Sequence, residues 1–417
     1  MLISRRWGSA VTAGFLALGL TAGPARAVPS PDVDPNPLVG DSVREEQWHL
    51  KTLNVAGAWV YADGAGVTVA VIDSGVDADH PDLNGQVLPG LDLVDPKGNG
   101  DTDLVGHGTT VSAIIAGRGD DNAGVIGIAP KSKILPVRVL NEENRYNDAI
   151  IVAKGVRWAV DHGARVINLS LGGNGSSPAL AAALDYAFAK DVVVVACTGN
   201  TSASTTDQVW YPAREPGVIA VAGTDRAGDA VWPGSITGQD TVVSAPATDL
   251  IGARPGGYWK VQGTSFAAPM VAGTAALIRS RWPTMPAGEV VNRIIRTAKD
   301  LGTPGRDPVF GFGLVNPTGA LTADVPAVFD NPLDTSPPPG IAQFGAAPVS
   351  GQAQSAPDGA VGAVQRPPAL ADAGNGGAPA IREAASPIRH GWWAAAILFL
   401  LSAVAALLTI RRFSSTT

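Results

Sequence analysis

The sequence predicts an α/β fold with a mostly parallel central sheet flanked by helices, because strand and helix patterns alternate between residues 45 and 323. Apolar, β-branched runs of strand length predict buried strands, and longer segments between them predict helices. The predicted elements are a strand at 67–72, a helix at 148–162, a strand at 166–170, a helix at 178–190 and a strand at 192–196. In such a fold, functional side chains gather at the carboxyl ends of the strands.

Composition limits the number of domains and the kinds of partner. The 417 residues are 45% apolar but include 33 prolines and 50 glycines, too many for one compact domain without linker segments. We therefore expect one folded domain with tails. A formal net charge of -7 gives no basic face for phosphates, so we expect no nucleic-acid partner. The single cysteine, Cys197, cannot form an intrachain disulfide and is interpreted as a small buried apolar residue.

The first 27 residues have the pattern of a cleaved signal peptide. Two arginines, at 5 and 6, precede an apolar stretch, and the small-x-small triplet at 25–27 is typical of a cleavage site. A retained membrane anchor is the alternative interpretation of this segment. A short Pro-rich extension at 28–44 follows, and it is too small to be a folded inhibitory propeptide.

The C-terminal part predicts a tether and a membrane anchor. Residues 324–390 are rich in Pro, Ala and Gly and have no regular periodicity, which indicates a linker, although a folded module is the alternative. Residues 391–410 carry no charge and are long enough for a transmembrane helix. Since the tail at 411–417 begins with two arginines, the positive-inside rule predicts a cytoplasmic C-terminus and an extracytoplasmic folded domain.

Three short motifs carry an acid, a base and a hydroxyl in the order Asp, His, Ser. Asp73 directly follows a predicted strand, His107 is flanked by two glycines, and Ser265 lies in the small-residue run 263–269 ahead of a predicted helix. A serine nucleophile needs a base to take its proton and a carboxylate to orient that base, and this chain order is one in which the geometry has arisen. Taken alone, His107 could be structural and Ser265 a helix N-cap.

A fourth candidate, Asn200, follows the predicted strand at 192–196. Acyl transfer places negative charge on the carbonyl oxygen, and a fixed side-chain amide can stabilise that charge. Asn200 is therefore predicted to form an oxyanion hole with the backbone N–H of Ser265. The alternative is an asparagine that is simply tolerated in a turn.

With these motifs the sequence resembles the subtilisin-like serine proteases over residues 45–323. The resemblance implies a subtilisin-like fold, serine endopeptidase activity and no required cofactor. It also implies that Ser170, Leu171 and Gly172 bind the substrate backbone as an added strand. Many relatives bind structural calcium, and Asp82 with the loop 120–122 offers oxygen ligands, although acidic loops are usually only solvated.

Two sites depart from the pattern of that family. Thr110 stands where relatives commonly have a second histidine, and Cys197-Thr198 replaces a pair of alanines before Gly199-Asn200. Neither position transfers a proton. We therefore expect altered packing and a slightly altered side-chain pocket, with activity retained.

The order of segments resembles the mycosins, the membrane-anchored proteases of type VII secretion systems. This resemblance implies an extracytoplasmic enzyme that processes exported polypeptides beside a secretion membrane complex. Two other hypotheses remain: a general degradative protease held at the surface, and a mainly structural subunit of the secretion complex.

Overall fold

A seven-stranded parallel sheet runs through the centre of the computed structural model, which describes residues 42–120 and 123–335. Its strands lie in the order β2-β3-β1-β4-β5-β6-β7, and β8 and β9 form a separate antiparallel hairpin. The strands are β1 Thr68–Asp73, β2 Leu91–Asp92, β3 Lys133–Arg138, β4 Val166–Leu169, β5 Val193–Cys197, β6 Ile219–Thr224, β7 Val243–Pro246, β8 Leu250–Arg254 and β9 Gly257–Val261. Strands β4 to β7 are buried at every residue, as expected for a parallel sheet covered on both faces.

Helices cover the sheet, and two of them are wholly or almost wholly buried. Every residue of α7 from Thr264 to Arg279 is buried, and this helix packs on α4 and on strands β4 to β7. The helices are α1 Ser42–Glu45, α2 Trp48–Thr52, α3 Val55–Trp59, α4 His107–Ala116, α5 Ala149–Asp161, α6 Pro178–Ala189, α7 Thr264–Arg281, α8 Ala287–Thr297 and α9 Pro317–Thr322. Single 3₁₀ turns occur at Pro81–Leu83 and Thr201–Ala203.

The predicted α/β architecture with a parallel sheet is confirmed. Each of the five predicted elements is present, and no end is shifted by more than one residue. Asp148 illustrates why helix ends shift: its side chain accepts a hydrogen bond from the N–H of Ile150 and caps α5, so it precedes the helix. Strand order reverses direction at β1, because β3 and β2 lie on one side and β4 to β7 on the other. Such a reversal opens a crevice at the carboxyl ends of the strands.

Several predicted segments lie outside the described residues. These are the signal peptide at 1–27, the transmembrane helix at 391–410, the tail at 411–417 and most of the 28–44 and 324–390 segments. Within the described part of the chain, no helix combines the length and apolar character needed to cross a membrane. The folded core extends slightly beyond the predicted 45–323, since Val43 is fully buried and Leu333 packs against the core.

A buried histidine in α2 is expected to make the stability of the fold depend on pH in acid. His49 is 1% exposed, and neither of its ring nitrogens has a hydrogen-bond partner among the residues described. Burial therefore lowers the pKa of His49 from 6.5 to about 3. Because the pKa is lower in the folded than in the unfolded chain, protonation favours unfolding, and stability is lost as the pH falls from 6.5 towards 3.

We expect His49→Leu to reduce this loss of stability. The parent should lose on the order of 4 kcal/mol across that window, and the variant should lose less because leucine binds no proton. The free energy of unfolding of the full-length protein in nonionic detergent, measured with urea at several pH values, tests this. His162→Gln, at an exposed histidine, is the matched control. An identical pH slope in parent and His49→Leu would contradict the assignment.

Candidate active site

Asp73 and His107 meet at the carboxyl end of β1. Asp73 is the last residue of that strand and is fully buried. His107 is the first residue of α4, and its Nδ1 lies 2.7 Å from Asp73 Oδ1. The imidazole ring packs against the Phe266 ring, with the ring centroids 5.3 Å apart. The imidazole is therefore positioned by contacts with both a carboxylate and an aromatic ring.

Ser265 lies in the first turn of α7, next to this pair. The helix begins at Thr264 with Gly263 as its N-cap, so Ser265 is not the N-cap that the alternative interpretation required. Its side-chain partner is Cys197, whose Sγ lies 3.9 Å from Ser265 Oγ. Among the described residues, no hydrogen bond joins Ser265 Oγ to His107. Catalytic hydrogen bonds are often long in the absence of substrate and shorten when it binds.

A proline within α7 changes the bonding of the Ser265 carbonyl. Pro269 has no N–H, so it cannot donate to the carbonyl four residues earlier, which is that of Ser265. The Ser170 hydroxyl donates to this oxygen instead, at 2.6 Å. In turn, Ser170 Oγ accepts from Asn168 Nδ2 at 2.9 Å. The helix that carries Ser265 is thus joined to the segment that follows β4.

Asn200 is held in one orientation by the residue before Ser265. Asn200 Oδ1 accepts hydrogen bonds from both the backbone N–H and the hydroxyl of Thr264, each at 3.0 Å. Since the oxygen is occupied, the amide NH₂ group remains available as a donor. The backbone N–H of Ser265 belongs to the first helical turn, where N–H groups have no partner within the helix. These two donors are the ones the sequence predicts for an oxyanion hole.

The segment 170–172 leaves β4 with an unpaired backbone. Ser170, Leu171 and Gly172 take part in no backbone–backbone hydrogen bond among the described residues, whereas Gly173 pairs with Tyr211. An extended peptide could therefore add to this edge as a further strand.

A second buried carboxylate, not predicted from the sequence, fixes the start of α4. Asp103 accepts hydrogen bonds from the Ser74 hydroxyl at 2.9 Å, from the N–H of Gly106 at 2.7 Å and from the Thr109 hydroxyl at 2.7 Å. Burial raises the pKa of Asp103 above its usual range, although these hydrogen bonds oppose the shift. The position of Asp103, four residues before His107 and ahead of a helix, was the available sequence signal.

Residues 64–313 match the family model described as the subtilase family. The chain belongs to the subtilase family. It is therefore a subtilisin-like serine protease, as predicted. Subtilisin DY of Bacillus licheniformis is 39% identical over 61% of this chain and 90% of its own length. Fervidolysin of Fervidobacterium pennivorans is 35% identical over 69% of this chain, which spans only 45% of that relative.

A solved structure supports the resemblance to mycosins. The MycP3 protease from the type VII (ESX-3) secretion system is 30% identical and has a TM-score of 0.61. The match covers 70% of this chain and 91% of MycP3. The subtilisin-like fold expected from the resemblance is thus confirmed.

In this subtilase, the two departures from the family pattern are accommodated by packing. Thr110 is fully buried, and its hydroxyl donates to the Ala253 carbonyl at 2.8 Å, which joins α4 to β8. Cys197 is fully buried as predicted, and burial raises the pKa of its thiol to about 11. The thiol is therefore protonated at neutral pH, close to Ser265.

The candidate calcium ligands have protein partners. Asp82 accepts from the N–H of Val125 at 2.8 Å and from the Tyr258 hydroxyl at 3.1 Å. The loop around Asp120 is described only in part, because residues 121–122 lie outside the structure. In the ranges 42–120 and 123–335, no three His, Cys, Asp or Glu side chains are grouped so as to hold a metal ion. A structural calcium ion remains a prediction.

Opposing influences set the pKa of His107. Burial alone would lower it, but the charge and hydrogen bond of Asp73 outweigh burial and hold the pKa above its usual value. Arg254 acts in the opposite direction, since its positive charge lowers the pKa of His107. The Arg254 guanidinium donates from Nη2 to the Val105 carbonyl at 2.9 Å, and its Nε is buried without a hydrogen-bond partner among the described residues.

We expect Arg254→Met to raise the pKa of His107 further. Removing the cation removes a charge that disfavours imidazolium. NMR titration of the imidazole in full-length protein, with the signal assigned by loss in His107→Gln, measures the shift directly. Arg254→Lys keeps the positive charge and is the control. An unchanged or lowered pKa in Arg254→Met would contradict the electrostatic role.

Proposed function

We propose that this protein is a membrane-anchored, extracytoplasmic serine endopeptidase that processes proteins exported by a type VII-like secretion system. Asp73, His107 and Ser265 form its catalytic triad. The single observation that carries the proposal is the 2.7 Å contact between Asp73 and His107, beside Ser265 at the start of a buried helix. The catalytic part also agrees with membership of the subtilase family.

In the proposed reaction, Ser265 Oγ attacks the carbonyl carbon of the scissile peptide bond. His107 Nε2 takes the hydroxyl proton, and Asp73 keeps Nδ1 protonated and stabilises the imidazolium. The carbonyl oxygen becomes negatively charged and accepts hydrogen bonds from Asn200 Nδ2 and the Ser265 N–H. His107 then donates its proton to the leaving amine, and the C–N bond breaks to give an acyl-enzyme on Ser265.

Water completes the cycle. His107 takes a proton from the water, which attacks the acyl carbonyl, and the same oxyanion hole stabilises the second tetrahedral intermediate. Collapse of that intermediate returns the proton to Ser265 and releases the new carboxylate. The substrate backbone pairs with Ser170, Leu171 and Gly172 during both steps, so recognition depends strongly on the main chain.

The secretion role is supported by the likeness to MycP3 and by the predicted segment order. Tethering an enzyme beside an export channel raises its effective concentration towards each emerging substrate. The predicted signal peptide and membrane helix would place the catalytic domain outside the cytoplasm with the C-terminus inside.

A secretion assay tests the proposed role against its alternatives. A strain without the gene is complemented with the parent or with Ser265→Ala, and the secreted proteins are compared by mass spectrometry. One or a few exported proteins that remain uncleaved only with Ser265→Ala would support processing. Broad loss of degradation products would indicate a general protease. The protein would instead be a structural subunit if the strain with Ser265→Ala exported and cleaved proteins as the parent strain does, while the strain without the protein did not.

A further inference from the structure

The proposed mechanism fixes where one substrate side chain must lie, and the inference that follows rests on that mechanism. The attacked carbonyl has its oxygen at Asn200, while the substrate backbone runs along residues 170–172. The residue that contributes this carbonyl, here called the acyl-side residue, must then project its side chain between these two segments. The contents of that space determine which acyl-side residues can be accepted.

A third segment closes this space. The N–H of Trp210 donates to the Thr198 carbonyl at 2.9 Å. The next residue, Tyr211, pairs with Gly173 through hydrogen bonds of 3.0 and 2.8 Å. These backbone contacts fix Trp210 beside both segments that border the space. One segment leads from Thr198 to Asn200, and the other is the proposed substrate-binding segment 170–172.

The indole of Trp210 stands between these two segments. A methyl group built on Gly199 would lie only 2.5–2.7 Å from the Cγ, Cδ2 and Cε2 atoms of the ring. A methyl group built on Gly172 would lie 3.2 Å from Trp210 Cβ and 3.3 Å from its Cε3. The indole Nε1 is buried with no hydrogen-bond partner among the described residues, as expected for a ring inserted into a confined space.

The deeper part of the space is also filled. Cys197 is fully buried, and its Sγ lies 3.9 Å from the Leu171 carbonyl oxygen and 3.9 Å from Ser265 Oγ. A substrate side chain that passed the indole would therefore meet this sulfur. With the indole and this sulfur both in place, we expect room near Ser265 only for a hydrogen atom, a methyl group or a hydroxymethyl group.

We propose that Trp210 is a specificity-determining residue that restricts the acyl-side residue to glycine, alanine or serine. A larger side chain would overlap the indole, and the ring cannot move without disturbing packing against Gly172 and Gly199. The enzyme thus excludes aromatic and long aliphatic acyl-side residues by shape, and it requires no charged group for this selection.

The test compares full-length parent protein with Trp210→Ala. A mixture of peptides from a digested proteome is cleaved by each, and mass spectrometry identifies the acyl-side residue at every cut. Peptides that differ only in alanine or phenylalanine at that position then give a ratio of kcat/KM values. We expect the parent to favour alanine at least about 10-fold and Trp210→Ala to reduce this ratio by about 10- to 100-fold, mainly through faster cleavage after phenylalanine.

Trp158→Ala is the matched control. Trp158 lies on α5, where its ring stacks on His162, and its removal should leave the ratio unchanged. Trp210→Phe, which removes less volume, should give an intermediate ratio. If Trp210→Ala fails to fold, the alanine-to-phenylalanine ratios of the parent and of Trp210→Phe still show whether Trp210 restricts the acyl-side residue.

The failures of the two proposals give different results. A small fluorophosphonate labels an activated serine without filling the side-chain space. A parent protein that neither takes up this label nor cleaves any peptide would overturn the proposed function. A parent that is labelled but cuts readily after large residues would overturn only the role of Trp210. The role of Trp210 would also be overturned if Trp210→Ala folded and took up the label but kept the parent's ratio of kcat/KM values for alanine and phenylalanine peptides.

Discussion

Ser265→Ala is expected to lower kcat/KM for peptide cleavage by about 10⁴- to 10⁶-fold. The substitution removes the hydroxyl that acts as the proposed nucleophile. Ser265 is only 8% exposed and small, so the change should alter the free energy of unfolding by about 1 kcal/mol or less. Steady-state kinetics with a fluorogenic peptide measures the loss, and fluorophosphonate labelling of the full-length protein should disappear in parallel.

Ser280→Ala provides the control on the same helix. Ser280 lies near the other end of α7, where its hydroxyl donates to the Ala65 carbonyl, so its removal should leave both labelling and turnover intact. If a folded Ser265→Ala retained more than a few per cent of parent activity, another residue would have to be the nucleophile.

Asp73→Asn is expected to reduce kcat by about 10⁴-fold while keeping the shape of the site. The carboxylate charge and hydrogen bond are what hold the pKa of His107 above its usual value against burial, so the pKa should fall in the variant. An amide can also present its NH₂ group to Nδ1 and stabilise the unproductive tautomer. Steady-state kinetics measures the loss of kcat, and NMR titration of the imidazole in the same preparation measures the fall in the pKa of His107.

Asp92→Asn is the control, because it removes a buried carboxylate charge that is not the partner of His107. Asp92 at the end of β2 pairs with Arg138 at the end of the neighbouring strand β3, with Nη1 and Oδ2 3.1 Å apart. Its substitution should reduce stability but leave the pKa of His107 unchanged. A His107 pKa that stayed the same in Asp73→Asn would show that Asp73 is not its charge partner.

Local patterns were sufficient to select the candidate site residues, because the proposed chemistry of each is tied to a short motif. Asp73 ends an apolar strand, His107 lies between glycines, and Ser265 lies in a run of small residues at the start of a helix, so each candidate is recognisable within a few positions. The alternation of strands and helices then places Asp73 and Asn200 at the same edge of the sheet. Element existence was therefore predictable, whereas element ends depend on single capping contacts such as that of Asp148.

The residues missed by sequence reasoning depend on contacts between distant segments. Arg254 influences His107 because the β8–β9 hairpin lies against the start of α4, and no local pattern fixes that approach. Trp210 is an ordinary aromatic residue in the sequence, and its position becomes informative only when its neighbour pairs with Gly173. Asp103 alone had a local signal, as an acid shortly before a helix.

The missing N–H of Pro269 has a kinetic consequence. The Ser265 carbonyl is bound by Ser170, and Ser170 begins the segment on which a substrate chain would align. The hydrogen bond from the Ser170 hydroxyl to the Ser265 carbonyl therefore links the segment that would align the substrate to the residue that carries the proposed attacking oxygen. If Ser265 is the nucleophile, as proposed, longer peptides should gain in turnover number as well as in affinity, because contacts far from the cleaved bond would help to position Ser265.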